Sequence, residues 1–401
     1  MLRSFIILLI ILFKSFTFSV THAEPQQNEL QADSGKKNIT IQVEKPKLPL
    51  AKLSTTEINN LFQEANQKFK SNALIEELEQ LCENLNGSVL LAFGKQVFFK
   101  KDVGYKRLAK KTLDNAIDSE TVFELASISK QFTAVAILKL NEENRLSLKD
   151  NVSKYIPGFP YQNITIKHLL THTSGLPEYM DFPEKNFNQK EPLTNAQLES
   201  YLERVKPKIL FQPGAKYKYI NTNYAILALI VEKITKTAFE LYIRKEFFTP
   251  AGMNFTCFTT ELKNKTNFTK GHLADESERP FHFQNGVIGD KGVYSNVEDL
   301  YRWMQAYLID YKILPKNVVE QAAQPQNKIL KGEPSEYYGY GLRIEDGANG
   351  YLIYHGGLWR GFQNNMVFRP ADQYIFIVLS NFRNRAMIGV NTKLLCIIDG
   401  V

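Results

Sequence analysis

Apolar residues recur along the chain at two spacings, and the spacing changes twice. Over 55–86 they fall about every 3.6 residues, at Ile58, Leu61, Phe62, Ala65, Phe69, Leu74, Leu78 and Leu81. That period predicts a helix closed before Gly87. Residues 88–93 and 96–105 are β-rich runs on either side of Gly94-Lys95, the pattern of a hairpin. The helical period returns at 132–140 and 224–234. Ser295-Asn296-Val297-Glu298 has the form of a capping box, opening a helix that runs through Trp303 and Tyr307. Strands resume at 351–355, 364–368 and 374–379, separated by turn residues such as Gly356-Gly357 and Pro370-Ala371-Asp372. Strands at both ends with helices between them predict an α+β architecture in two regions. One antiparallel sheet is built from both chain ends and flanked by helices, and a helical region is inserted.

The first residues follow a different pattern. Arg3 precedes an almost wholly apolar run over 4–13 that stops at Lys14, and a second apolar patch leads to Thr21-His22-Ala23. A basic start, a short apolar core and an alanine at the cut describe a secretory leader over 1–23, so the chain is expected to be exported. The apolar core is about half of the ~20 residues a spanning helix needs; an uncleaved membrane anchor is the alternative. Residues 24–54, rich in Gln, Lys and Asn with Pro25, Pro46 and Pro49, are expected to form a polar tether, leaving 55–401 as the folded domain. No later stretch is long and apolar enough to span a bilayer.

Composition narrows the function by exclusion. The 401 residues are 44% hydrophobic and 12% aromatic, which is a globular balance. Lys and Arg number 49 against 42 acids, and the surplus of +7 is not clustered, so nothing points to nucleic acid. The densest basic run, Lys106-Arg107 with Lys110-Lys111, reads as a solvated turn. Cys82, Cys257 and Cys396 contain no Cys-x-x-Cys pair, which excludes a zinc ribbon; an odd count argues against a disulfide framework but is compatible with one bridge. None of the six histidines stands in a metal-binding motif, and Walker, dinucleotide-binding and Gly-x-Ser-x-Gly signatures are all missing. Neither a metal nor an organic cofactor is expected.

What remains is Ser127-Ile128-Ser129-Lys130. If a helix begins at Ser127, the serine and the lysine share one face. A partly desolvated amine beside a hydroxyl loses its proton more easily and can then act as base. The spacing alone is weak, since the tether holds another instance at Ser34-Gly35-Lys36-Lys37.

Its neighbours are more specific. The blocks FELASISKQF (123–132), TIKHLLTHTSGLP (165–177), Phe211-Gln212-Pro213-Gly214 leading to Tyr219-Ile220-Asn221, Pro250-Ala251-Gly252-Met253, Gly292-Val293-Tyr294-Ser295, and His355-Gly356-Gly357 occur in one order. This order resembles the serine β-lactamase-related family: class C β-lactamases, penicillin-binding D-Ala-D-Ala carboxypeptidases, D-amino-acid peptidases and esterases of the same fold. The resemblance covers about 55–385.

The resemblance implies three catalytic elements. Ser127 is the nucleophile, with Lys130 beside it. Tyr-x-Asn occurs three times, at Tyr161, Tyr219 and Tyr294, and only Tyr219-Ile220-Asn221 follows a Pro-Gly turn and precedes a long apolar helix. Tyr219 is therefore expected near Lys130, whose ammonium would lower the phenol's pKa and let it relay protons. Asn221 is expected to bind the substrate amide or Lys130. The third element, Lys-Thr-Gly in true β-lactamases, is here His355-Gly356-Gly357, with both glycines admitting substrate backbone. Backbone N–H groups of Ser127 and Leu358 would form the oxyanion hole. His168 and His172 are expected to be structural, and Arg360 to face solvent.

Replacing lysine by His355 removes a permanent cation, so ester or D-amino-acid peptide substrates, cell-wall peptides among them, rank above β-lactams. The expectation is an exported serine hydrolase acting on a small-molecule or peptide substrate. The alternative is a non-catalytic binding or assembly module on the same fold.

Overall fold

The structure is a computed structural model that describes residues 72–329, 336–347, 349–383 and 385–399. The leader, the tether and the first half of the expected 55–86 helix lie outside the described residues. The remainder of that helix, α1, spans Asn72–Glu83. It is followed by the hairpin β1 (Gly87–Phe93) and β2 (Gln96–Val103). Gly87 opens β1 at a close approach: a Cβ there would lie 1.9 Å from the carbonyl oxygen of Leu379.

The main sheet has eight strands in the order β2-β1-β11-β10-β9-β8-β7-β6. Its later members are β6 (Asn327–Lys328), β7 (Glu336–Tyr338), β8 (Arg343–Glu345), β9 (Leu352–Trp359), β10 (Phe362–Arg369) and β11 (Tyr374–Ser380). All named pairings are antiparallel, and β1 pairs with β11 along its whole length, Gly87 opposite Ser380 through Phe93 opposite Tyr374. A second, three-stranded sheet in the order β3-β5-β4 joins β3 (Phe123–Glu124), β4 (Cys257–Phe258) and β5 (Val293–Ser295).

Period-two alternation explains how β11 can be apolar throughout. Ile375, Ile377 and Leu379 enter the large core shared with the helices, while Tyr374, Phe376 and Val378 enter a second core. That second core is covered by α1 and the C-terminal helix, Val390–Asp399. A strand buried on both faces reads as a continuous hydrophobic run. The central helices α2 (Lys130–Glu142) and α4 (Asn221–Thr235) are likewise buried nearly all round, whereas α3 (Asn195–Val205) buries only one stripe. α5 (Val297–Met304) and the C-terminal helix, α6, complete the labelled helices.

Among the described residues the strands and helices expected from the sequence are present, with two local differences. Gly356-Gly357 is not a turn: β9 runs through both glycines, and the reversal falls at Arg360-Gly361, where φ is 42° and 95°. The cap of α5 is Asn296, whose Oδ1 accepts from the N–H of Asp299 at 2.8 Å. Ser295 instead shares a hydrogen bond with Thr256. All three cysteines are free thiols. Among the described residues no helix is long and apolar enough to cross a membrane.

Candidate active site

Ser127 lies on a single 3-10 turn, Ala126–Ser129, between β3 and α2. The turn is entered through Ala126 in the left-handed region, φ 50°, which costs about 1 kcal/mol or more for a residue with a Cβ. Its surroundings hold it there. Leu125 N–H donates to the Val293 carbonyl at 2.8 Å, and Val293 N–H to Ser129 Oγ at 3.3 Å. A turn with three residues per revolution stacks positions i and i+3, and Lys130 Nζ accordingly donates to Ser127 Oγ at 3.1 Å.

Lys130 is fully buried and spends all three donors: on Ser127, on Asn221 Oδ1 at 2.7 Å and on the Asp290 carbonyl at 2.9 Å. Burial pulls its pKa down to about 8, against the opposing pull of the Asp290 and Glu178 carboxylates. Asn221, the first residue of α4, is fixed from its other side. Its backbone N–H and Nδ2 donate to Glu178 Oε2 at 2.7 and 3.0 Å, which turns its carbonyl oxygen toward Lys130.

Tyr219 comes to the same place from the segment before α4. Lys130 Nζ stands 4.9 Å from its ring centroid. The phenol oxygen is buried and faces the Ser127 hydroxyl. The expected lowering of its pKa does not occur: burial raises it, and the nearby Arg343 guanidinium and Ser127 hydroxyl offset only part of that. Tyr219 therefore keeps its proton, and Lys130 is the more readily deprotonated of the two.

His355 is fully buried on β9, its ring 6.3 Å from that of Tyr219. Nδ1 lies 2.7 Å from the Gly356 carbonyl and Nε2 3.2 Å from the Tyr338 hydroxyl. The first contact makes Nδ1 the protonated nitrogen and leaves Nε2 as acceptor. Burial, then the charges of Arg343 and Lys130, hold the ring neutral. Gly357 is required by packing. A Cβ there would lie 2.1 Å from the Leu125 carbonyl oxygen, so the glycine lets β9 press against the segment carrying Ser127. At Gly356 the nearest atom would be 3.7 Å away. Leu358 follows on β9 opposite Gln363, its side chain 55% exposed.

Four further residues at this place carried no signal in the sequence. Glu178 and Asp290 are the carboxylates around Lys130. Arg343, the first residue of β8, has its guanidinium 5.4 Å from the Tyr219 ring centroid and is paired with Glu336, which also accepts from the Tyr354 hydroxyl at 2.6 Å. Arg360 lies apart, donating to the Pro280 carbonyl at 2.8 Å. His172, expected to be structural, stacks on Tyr219 with centroids 4.3 Å apart, and its Nδ1 accepts from the Ile220 N–H at 3.1 Å. His168 closes a helix cap with Thr165. Tyr161 and Tyr294 serve the framework, donating to the Pro207 carbonyl at 2.6 Å and lying buried in β5 respectively.

Residues 72–393 match the Beta-lactamase family. The chain belongs to this family. Penicillin-binding protein 4* of Bacillus subtilis (strain 168) is 32% identical over 328 residues, 76% of this chain and 71% of that protein. The fold is that of penicillin-binding proteins. The crystal structure of a penicillin-binding protein from Bacillus halodurans superposes with a TM-score of 0.68 at 25% identity, covering 82% of this chain and 99% of that one. A D-amino acid amidase from Ochrobactrum anthropi SV3 has the same fold, with a TM-score of 0.68 at 19% identity over 82% of this chain and 98% of that one. For a β-lactamase-family chain the coarse function is of serine-hydrolase type. Both sheets and the α2–α4 helix pair converge on Ser127, Lys130, Tyr219 and His355.

Proposed function

We propose that the protein is an exported serine hydrolase working through an acyl-enzyme on Ser127. The observation that carries this reading is the 3.1 Å contact between Ser127 Oγ and a fully buried amine whose three donors are all engaged. Lys130, as free amine, takes the Ser127 proton while Oγ bonds to the acyl carbonyl carbon. Backbone N–H groups of Ser127 and Leu358 hold the oxyanion. Tyr219, still protonated, gives its proton to the leaving oxygen or nitrogen as that bond breaks, and regains one from Lys130. Water then attacks the ester carbonyl, its proton passing to the neutral Lys130, which returns it to Ser127 Oγ as the acyl–enzyme bond breaks and the acid product departs.

Ester and D-amino-acid amide or peptide substrates, including cell-wall peptides, rank above β-lactams because His355 carries no charge. The amidase of the same fold, by its name, acts on D-amino acid amides, which agrees with that ranking. Arg343 stands beside Tyr219 but is already paired with Glu336, so it only partly replaces the cation that position 355 lacks. Export rests on the leader over 1–23, with the tether over 24–54 and the catalytic domain over 55–401.

The test is intact-mass analysis after exposure to a fluorophosphonate and to a penicillin. An adduct on Ser127 that disappears in Ser127→Ala is the expected result. Folded protein unmodified by either reagent returns the binding-module reading.

A further inference from the structure

Besides Lys130, one more lysine among the described residues is fully buried near Ser127. Lys291 is 3% exposed and its neighbour Asp290 is 0% exposed. Both are carried on a turn bracketed by Gly289 and Gly292, at φ 99° and 95°. A Cβ on Gly289 would lie 2.6 Å from the Ala228 methyl and 2.7 Å from the Tyr224 carbonyl oxygen. The turn is thus pressed onto α4, and Thr133 Oγ1 holds the Gly289 carbonyl at 2.7 Å. A backbone built this closely around two charges is not a solvated loop.

The two lysines meet at Asp290 from opposite sides. Lys130 takes its backbone carbonyl at 2.9 Å, and Lys291 faces its Oδ2 at 3.5 Å. Lys291 also donates to the Tyr179 hydroxyl, which donates on to Asp290 Oδ2 at 3.0 Å. Asp290 Oδ1 is buried with no partner. Lys291 Nζ lies 5.0 Å from the Tyr179 ring centroid and 5.2 Å from that of Trp359 on β9.

The other charged groups around the pair are few. Glu178 faces Lys130 and is engaged by Asn221. Glu124 on β3 faces Lys291, accepts from the Gly292 N–H at 2.9 Å and is pushed up to about 7 by burial. Arg343 faces Lys130 from β8. His172 and His355 are neutral. Without Lys291, the nearest cation to the Asp290 carboxylate would be Lys130 itself.

We propose that Lys291 is a positioning residue for Lys130. Held on Asp290 by the glycine-bracketed turn and Tyr179, its ammonium cancels the carboxylate that Lys130 would otherwise pair with, leaving Lys130 able to meet Ser127 as a free amine. This rests on the reading of Lys130 as base.

The experiment is the rate of Ser127 modification by a fluorophosphonate across pH, on the full chain. In Lys291→Met the midpoint of the rising limb moves up by about one pH unit, a tenfold loss of free amine at a fixed pH below the limb. In Asp290→Asn, which keeps the carbonyl that Lys130 uses, the midpoint moves down. The double variant returns toward the wild-type midpoint. A merely structural role for Lys291 would lower the plateau and leave the midpoint in place, and that result overturns the proposal. If Lys291→Met does not fold, Lys291→Gln takes its place: a raised midpoint supports the proposal, and an unmoved or lowered one overturns it. Failure of the underlying reading is seen separately, as wild-type protein that is not labelled or as labelling that survives Ser127→Ala.

Discussion

At the scale of single residues, the proposed chemistry depends on protonation states that burial sets. A buried amine at about 8 beside a phenol that holds its proton divides the labour of base and acid. The acylation rate should therefore rise with pH through about 8, because the neutral form of Lys130 is the competent one, and fall away as the pH drops below it. A limb centred near 6, where histidine titrates, would contradict this. Removing the amine in Lys130→Met should cost at least about a hundredfold in acylation rate, the usual lower range for a general base. Charge recognition should follow Arg343 and not position 355. His355→Lys places a third cation in a fully buried slot near Lys130 and Arg343, where it would shed its proton, so little gain is expected toward carboxylate-bearing substrates. Arg343→Met should lower kcat/KM for such substrates by about tenfold or more relative to neutral esters, the scale of one lost charged hydrogen bond. Paired kinetics on a neutral and an anionic ester separate the two.

At the scale of elements, β9 and the turn after β3 depend on each other. Gly357→Ala drives a methyl into the Leu125 carbonyl oxygen and must move either strand or nucleophile; a loss of about 1–3 kcal/mol and a collapse of acylation are expected. Gly356→Ala, with 3.7 Å of room, should leave the denaturation midpoint near wild type. This contrast could not be read from His355-Gly356-Gly357 as letters, and the pair resembled a turn. The elements with strong periods, β1, β2, α2, α4 and β11, were legible because burial of one or both faces writes directly into residue spacing. Ser127, Lys130, Tyr219 and Asn221 were legible because their spacings recur in ordered blocks. Glu178, Asp290 and Arg343 were not, since each arrives from a separate loop or strand end and acts through proximity in space. The shift of Tyr219 runs against expectation for a related reason: sequence shows the neighbouring ammonium but not the desolvation that outweighs it.

At the scale of the whole molecule, stability and chemistry occupy opposite faces of one sheet. The catalytic face meets α2 and α4; the other is closed by α1 and α6. Arg369 on β10 ties that closure down, reaching Asp372 at 2.6 Å and Asp399 of α6 at 2.9 Å, with its own side chain only 5% exposed. Arg369→Met leaves two carboxylates without their cation and should cost roughly 3 kcal/mol. The denaturation midpoint should fall while the acylation rate of the folded protein stays at the wild-type value.

The pairing of β1 with β11 reaches further than the site. Almost three hundred positions of polypeptide separate the two partners, so β11 leaves the ribosome long after β1 does. Until then β1 has only its hairpin neighbour, and a sheet of such distant contacts assembles slowly. The edge of β1 that β11 covers thus stays unpaired in the interval.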